Sequence, residues 1–199
     1  VRATNRNAMA AIVSALIVRE GAKTESLKTI ESLIQTNYDI FSELVDKQTG
    51  AYFRGKTPEY GLLVNGAMKV ISAIDWLGGP IHHPEKLIDT VLSRLPITDG
   101  CHLVDAVYVL YRCASETTYR RAEIEVYLEE ILPMIHAHQK PDGAFSYYLD
   151  SAQCHYHEMI INRGSSESDI HGTLLLTWAL AMIFSLTGTT KHRWNIIKP

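Results

Sequence analysis

Residues that could carry chemistry concentrate near the C-terminal end of the 199-residue chain, between positions 142 and 173. This stretch combines histidines, tyrosines and carboxylates, which exchange protons or form hydrogen bonds near neutral pH. A loop of about 20 residues within it lacks a clear helical pattern, and loops of that length are often functional. The catalytic candidates are His171, Asp169, His155 and His157.

These four residues form two pairs with different geometry. His155 and His157 flank Tyr156, so on an extended segment both imidazoles would point the same way. They would then act as two metal ligands, two polar contacts or part of a solvated loop. Asp169 and His171 could be an orienting carboxylate and its base, or Asp169 could cap the helix that His171 begins.

Several further side chains could bind a ligand. The tyrosines could stack on sugar rings, and Arg163 could hold an anionic group or pair with Glu167. A carboxylate on an apolar helix is costly to bury unless it is paired, so Asp105 could face a cavity or fill a structural role. The ligand-binding candidates are Tyr147, Tyr148, Tyr156, Arg163 and Asp105.

Apolar residues recur at intervals of three and four almost throughout the chain, which predicts an all-α fold. Glycines at 21, 78, 79 and 188 mark predicted helix ends. No run alternates with a period of two, so no sheet is expected. The predicted helices cover 4–20, 24–46, 60–77, 84–94, 101–115, 118–138 and 168–187.

The loops before three apolar helices are similar. Residues 48–53 and 139–145 each combine a glutamine, a glycine and an aromatic residue, and residues 98–100 end in Asp-Gly. Their glycines are 50 and 43 residues apart, at positions 50, 100 and 143. A repeat of this length with two helices per unit predicts stacked helical hairpins.

A glutamine followed by Asp-Gly and an aromatic residue resembles the loop motif of the α/α-toroid superfamily, with 139–145 as the nearest match. This superfamily includes the terpenoid cyclases and the β subunits of protein prenyltransferases. The resemblance spans roughly residues 40–190. It implies helical hairpin repeats that form part or all of a toroid. The helices at 60–77, 101–115 and 168–187 would then surround an apolar cavity, with the polar chemistry in loops at one end.

A complete toroid has more helices than this chain provides. We expect either that the chain is the C-terminal part of a longer protein, whose N-terminal region completes the ring, or that a partial ring closes by self-association. The first is preferred because the sequence starts at Val1.

The resemblance also implies a metal site. Asp99-Gly100-Cys101 resembles the Asp-Gly-Cys that supplies two zinc ligands in prenyltransferase β subunits, and His171 stands where their histidine ligand follows an aspartate. Zinc at Asp99, Cys101 and His171 would keep an open position for a thiol or a water. The sequence departs from that family at Ser93 and Pro96, where basic residues hold the diphosphate. The Asp-x-Asp-Asp run of terpenoid cyclases does not occur in this chain.

Composition limits the classes of partner. The chain has 46% hydrophobic and 21% charged residues, which predicts a single globular domain over 1–199. A net charge of −3 gives no basic field for nucleic acid. The apolar stretch within 1–20 is too short and too charged to span a bilayer, so no membrane span is expected. Three irregularly spaced cysteines favour a reducing compartment, which predicts a cytoplasmic protein.

These patterns favour a toroid-family enzyme, or part of one, that binds a small hydrophobic ligand in a central cavity. Its chemistry would resemble zinc-assisted prenyl transfer or cyclisation. One alternative is a carbohydrate-active α/α-barrel hydrolase or lyase, with His155 or His157 as the base. Another is a non-catalytic helical-repeat scaffold that binds a partner.

Overall fold

The structure is a computed structural model that describes residue 19 and residues 24–156 and 158–199. Six helices and a two-stranded hairpin form the described part. The helices are α1 (Thr24–Leu44), α2 (Tyr60–Leu77), α3 (Pro84–Leu92), α4 (Gly100–Ala114), α5 (Arg121–His136) and α6 (Ile170–Thr187). The strands are β1 (His155–Tyr156) and β2 (Met159–Ile160).

The predicted all-α character is confirmed, and six of the predicted helices match α1 to α6 within a few residues. The predicted helix at 4–20 lies outside the described residues, apart from Arg19. The expectation of no sheet was wrong, because β1 and β2 pair antiparallel with His155 opposite Ile160. Strands of two residues are too short to show alternation in a sequence.

Helices α2, α4 and α6 lie side by side and run in the same direction. Asn65 of α2 meets Asp105 of α4 near their first turns, and Asp75 forms an ion pair with Arg112 near their last turns. Halfway along α4 and α6, the rings of Tyr108 and Trp178 are 5.1 Å apart. Helices α3 and α5 both pack against α4 and against each other, in a second layer.

Each of the three parallel helices begins with an acidic cap. Glu59 accepts hydrogen bonds from backbone N–H groups of α2, Asp99 from α4 and Asp169 from α6. A carboxylate satisfies unpaired N–H groups and interacts favourably with the helix dipole. Because the helices are parallel, these caps lie at one end of the layer, which we call the capping end.

Two of the three similar loops fold alike. The loop before α2 forms a bridge between Val45 and Tyr52, and the loop before α6 forms one between Gln139 and Phe145. Each contains a glycine with positive φ, at positions 50 and 143, and each buries its aromatic ring. The third loop differs, because Gly100 is already the first residue of α4. The repeat is therefore structural in two units and only approximate in the third.

Helix α6 is apolar on every side, which is typical of a helix with neighbours all round. It packs against α4 and α5, yet Ile170 and Leu174 are 87% and 66% exposed. Among the helices that the structure describes, it alone has the length and composition to cross a membrane. One face of α6 therefore has no cover from the described residues.

The start of α6 packs tightly on the preceding loop. A Cβ atom at Gly172 would lie 2.4 Å from both the carbonyl carbon of Ser146 and the amide nitrogen of Tyr147. We therefore expect Gly172→Ala to lower the free energy of unfolding by about 2 kcal/mol, since the added methyl group must displace backbone. Chemical denaturation measures this change.

Gly66→Ala is the matched control for Gly172→Ala. Gly66 also lies in a parallel helix, but its nearest neighbour would be 3.7 Å from a Cβ atom. This substitution should stabilise the protein by up to about 1 kcal/mol, because alanine has the higher helix propensity. Equal effects of the two substitutions would contradict the close approach at Gly172.

Candidate functional site

Asp169 organises the capping end around α6. Its carboxylate accepts hydrogen bonds from three backbone N–H groups, those of Gly172 at 2.7 Å, Tyr147 at 2.7 Å and Gln153 at 3.1 Å. The residue is only 7% exposed. Of the two roles considered for Asp169, the structure shows the cap. Both oxygens are occupied by backbone donors, so Asp169 positions its neighbours.

His171 lies in the first turn of α6 and is surrounded by rings. Its Nδ1 is hydrogen-bonded to the side-chain oxygen of Gln153. The Tyr147 ring stacks on the imidazole with centroids 5.2 Å apart, and the Tyr156 ring meets it edge-on at 5.4 Å. Burial lowers the pKa of His171, although the Asp169 charge opposes this. The neutral imidazole is therefore favoured near pH 7.

A second histidine pairs with the cap of α4. His102 Nδ1 lies 2.8 Å from each carboxylate oxygen of Asp99, and the His102 backbone N–H donates to the same group at 2.9 Å. A carboxylate only accepts hydrogen bonds, so Nδ1 carries the proton of this contact. The other ring nitrogen, Nε2, lies beside Gly61 at the start of α2.

Cys101 and Tyr147 connect these two histidines. The Cys101 thiol interacts with the Tyr147 side chain, and burial raises the pKa of each group. Both groups therefore stay protonated near neutral pH. Because Tyr147 also stacks on His171, one tyrosine ring touches both sides of the cluster. We call Asp99, Cys101, His102, Tyr147, Gln153 and His171 the mouth cluster.

One helical turn beyond Cys101, a buried carboxyl group joins α2 to α4. Asp105 is 4% exposed and accepts a 2.6 Å hydrogen bond from Asn65 Nδ2. Lys69 Nζ donates to the Asn65 side-chain oxygen at 2.7 Å. Burial raises the pKa of Asp105 to about 6, with Asn65 and Lys69 acting in the opposite direction. Such a group can change its protonation state near neutral pH.

An apolar groove of about 710 Å³ begins next to the mouth cluster. His171 is followed on α6 by Leu174, Leu175 and Trp178 at intervals that share one helix face. These three line the groove, opposite Met68 of α2 and the C-terminal tail. The groove-lining residues of the tail are Trp194, Asn195, Ile197, Lys198 and Pro199.

The tail is attached to the far ends of α2 and α4. Lys198 Nζ donates to the Asp75 backbone oxygen at 2.7 Å and lies 3.4 Å from its carboxylate. The same carboxylate is 2.9 Å from Arg112. The groove therefore begins at Thr173, two residues after His171, and reaches the charged cluster through Lys198, with mainly apolar walls between.

Most of the predicted site residues meet at the capping end. Asp99, Asp169, Cys101, His171 and the three tyrosines lie there, with Asp105 one turn deeper. Tyr148 and Tyr156 are each 45% exposed, and the Tyr148 ring lies 4.7 Å from that of Tyr147.

Two predicted site residues, His155 and Arg163, do not join this cluster. His155 is exposed in β1 and Arg163 is exposed in the following loop. No ion pair between Arg163 and Glu167 forms in the part of the chain that the structure describes, where Glu167 instead accepts from Ser165. His157 lies outside the described residues.

The three residues predicted to bind zinc, Asp99, Cys101 and His171, do not converge on one point in the described structure. Within residues 24–156 and 158–199, no group of three or more His, Cys, Asp or Glu side chains is placed to hold a metal ion. Asp99 accepts from His102, and His171 Nδ1 is hydrogen-bonded to Gln153, which leaves the lone pair of His171 on Nε2. We assign no chemical step to a metal. Zinc at these residues stays a prediction, which elemental analysis of protein purified without chelators would test.

Sequence reasoning missed four contributors to the site. His102 stands three residues after Asp99, a spacing at which a helix cap can reach a side chain, so this pair was visible in principle. Gln153 and Asn65 gave no signal, because their partners lie 18 and 40 residues away. The tail at 194–199 lacks periodicity, so its position over the groove was not predictable.

Comparisons with protein-family models, with curated proteins and with solved structures give no match. The resemblance to α/α toroids therefore stays a prediction from the loop motifs. All three cysteines are free. Placement in the cytoplasm stays a prediction.

The raised pKa of Asp105 predicts how stability depends on pH. In the unfolded chain an aspartate titrates near pH 3.9, so between about pH 4 and 6 the folded state binds more protons and loses stability as the pH rises. Asp105→Asn should remove this pH-dependent loss of stability, because an asparagine side chain does not ionise. Relative to the variant, the wild type should therefore become less stable by about 2–3 kcal/mol between pH 4 and 7.

Urea denaturation at several pH values tests this difference. Asp150→Asn, at an exposed aspartate, is the control and should follow the wild type at every pH. A pH-independent difference between the wild type and Asp105→Asn would show that Asp105 is not buried as a titrating acid.

Proposed function

We propose that the protein binds a small, mainly apolar ligand in the groove, with the polar end of the ligand at the mouth cluster. The observation that carries this proposal is the position of His171 one turn before Leu174 and Leu175 on α6, since these leucines and Trp178 line the groove. A concave apolar site with a few convergent polar groups is typical of small-molecule binding. The titratable groups at the mouth favour an enzyme over a passive carrier.

We also propose that α2, α4 and α6 belong to the inner wall of an α/α toroid. Their parallel order, the second layer of α3 and α5, and the uncovered face of α6 support this arrangement. Completion of the ring by a longer chain or by a second copy remains part of the proposal. Chemistry like prenyl transfer or cyclisation is the class that the resemblance favours.

Farnesol, an apolar isoprenoid alcohol, is a suitable probe for the groove. Two of the three tryptophans of the chain, Trp178 and Trp194, line the groove, so binding should change the tryptophan fluorescence in a saturable way. We expect Leu174→Asp to weaken binding at least about tenfold, since it places a charge in an apolar site.

Leu62→Asp is the control for this substitution. Leu62 is 51% exposed on α2 and does not line the groove. The Leu62→Asp variant should bind farnesol with the affinity of the wild type. Equal farnesol affinities of the two aspartate variants would show that the ligand does not bind in the groove. A fluorescence change that does not saturate in the wild type would refute the proposal.

A carbohydrate ligand is the second candidate, because Tyr148 and Tyr156 present half-exposed rings beside the mouth cluster. Aromatic faces of this kind could stack on sugar rings, with His171 as the base of a lyase or hydrolase. Under this alternative, neutral or uronic-acid oligosaccharides would raise the melting temperature, and Tyr156→Ala would abolish that rise. Tyr119→Ala, at a half-exposed tyrosine remote in sequence, is the control.

A further inference from the structure

The bond between Gln153 and His171 determines where the imidazole proton lies. The Gln153 side-chain oxygen faces His171 Nδ1, and an amide oxygen can only accept a hydrogen bond. Nδ1 must therefore carry the proton, and the lone pair is on Nε2. We propose that Gln153 fixes this tautomer, so that His171 Nε2 is the proton acceptor for a hydroxyl group of the bound ligand.

Gln153 is itself held in place by the cap of α6. Its backbone N–H donates to Asp169 Oδ2, while Asp169 Oδ1 accepts from Gly172, the residue that follows His171. One carboxylate therefore fixes both the histidine and its partner. Asp169 and Gln153 are positioning residues in this arrangement. Of these two residues and His171, only His171 would touch the ligand.

Two rings restrict the imidazole further. Tyr147 stacks on one face at an interplanar angle of 17°, and Tyr156 approaches edge-on at 77°. A half-turn of the imidazole about its bond to Cβ would place Cδ2 instead of Nδ1 opposite the Gln153 oxygen and break this hydrogen bond. The geometry therefore holds a basic nitrogen in one orientation, as a general base requires.

The proton transfer would move one proton from the ligand hydroxyl group to His171. The O–H bond of the ligand breaks, its electron pair stays on oxygen, and a new N–H bond forms at His171 Nε2. The imidazolium keeps its Nδ1–H bond to Gln153, and the nearby Asp169 charge stabilises it. The same nitrogen returns the proton in the reverse step. This role rests on the proposed ligand site, since it needs a hydroxyl-bearing molecule at the mouth.

Nitrogen NMR of ¹⁵N-histidine-labelled protein tests the tautomer without any ligand. Its nitrogen chemical shifts distinguish protonated from unprotonated ring nitrogens, and His171→Asn identifies which of the nine histidine signals belongs to this residue. At a pH where His171 is neutral, we expect a protonated Nδ1 and an unprotonated Nε2. The opposite tautomer, or an average of the two, would overturn the proposal.

Three variants separate positioning from general packing. Gln153→Leu removes the acceptor and should give a mixture of tautomers. Gln153→Glu keeps an oxygen acceptor and should restore the wild-type tautomer. Gln139→Leu, in the same loop but bonded to Gly143, should leave the His171 signals unchanged. A Gln153→Leu spectrum identical to the wild type would contradict the role of Gln153.

Addition of farnesol then tests the acceptor role. Its hydroxyl group should shift the Nε2 signal of the wild type, and a saturable fluorescence change without that shift would refute His171 as the acceptor while leaving the groove site intact. Loss of the fluorescence response with the expected tautomer would instead refute the proposed ligand site. The two failures are therefore distinguishable.

Discussion

The buried carboxylate of Asp169 is the interaction on which the arrangement of the capping end depends. A buried charge costs several kcal/mol unless hydrogen bonds replace its hydration. Three backbone N–H groups provide that replacement, and they come from three separate points of the chain, at Tyr147, Gln153 and Gly172. The same bonds that offset the cost of burial therefore join the long loop to the start of α6. Because Gly172 has no side chain, the loop backbone can approach closely enough for this network to form.

The parallel packing of α2, α4 and α6 divides the site into polar and apolar parts. Parallel helices place their unpaired N–H groups at one end, so the acidic caps and the residues they hold collect there. Further along, the helices contact one another through apolar side chains. Apolar side chains of α6 and Met68 of α2 also line the groove. At the opposite end, Asp75, Arg112 and Lys198 form a second polar cluster. Helix direction alone therefore favours a ligand with a polar end and an apolar body.

The sequence predicted the helices well because their ends carry local signals. Gly78 and Gly188 adopt left-handed conformations at the ends of α2 and α6, and Asp99 and Asp169 cap the helices that follow them. The closeness of Tyr147 and Tyr156 to His171 agrees with their positions in the polar stretch of the chain, whereas His155 of the same stretch is exposed.

What the sequence could not predict depends on the path of the long loop. The pairing of Gln153 with His171 requires the loop to return across 18 residues, and no periodicity encodes that return. The same holds for Asn65 and Asp105 on separate helices. The pairing of Asp99 with His102 was likewise not predicted, although the two residues are only three positions apart. Asp99 therefore contacts a side chain three residues along its own helix and not one from a distant segment.

The composition of α6 accounts for both the groove and the exposed face beside it. A helix that is apolar all round gains stability only where each side is covered. Helices α4 and α5 cover two sides, and the C-terminal tail covers part of a third through Trp194 and Ile197. The tail has no regular structure and touches α6 only in part, so a gap of about 710 Å³ stays between them. Leu174 lines this gap and is 66% exposed. Under the proposed function, an apolar ligand in the groove would pack against the α6 side chains that the protein itself leaves uncovered.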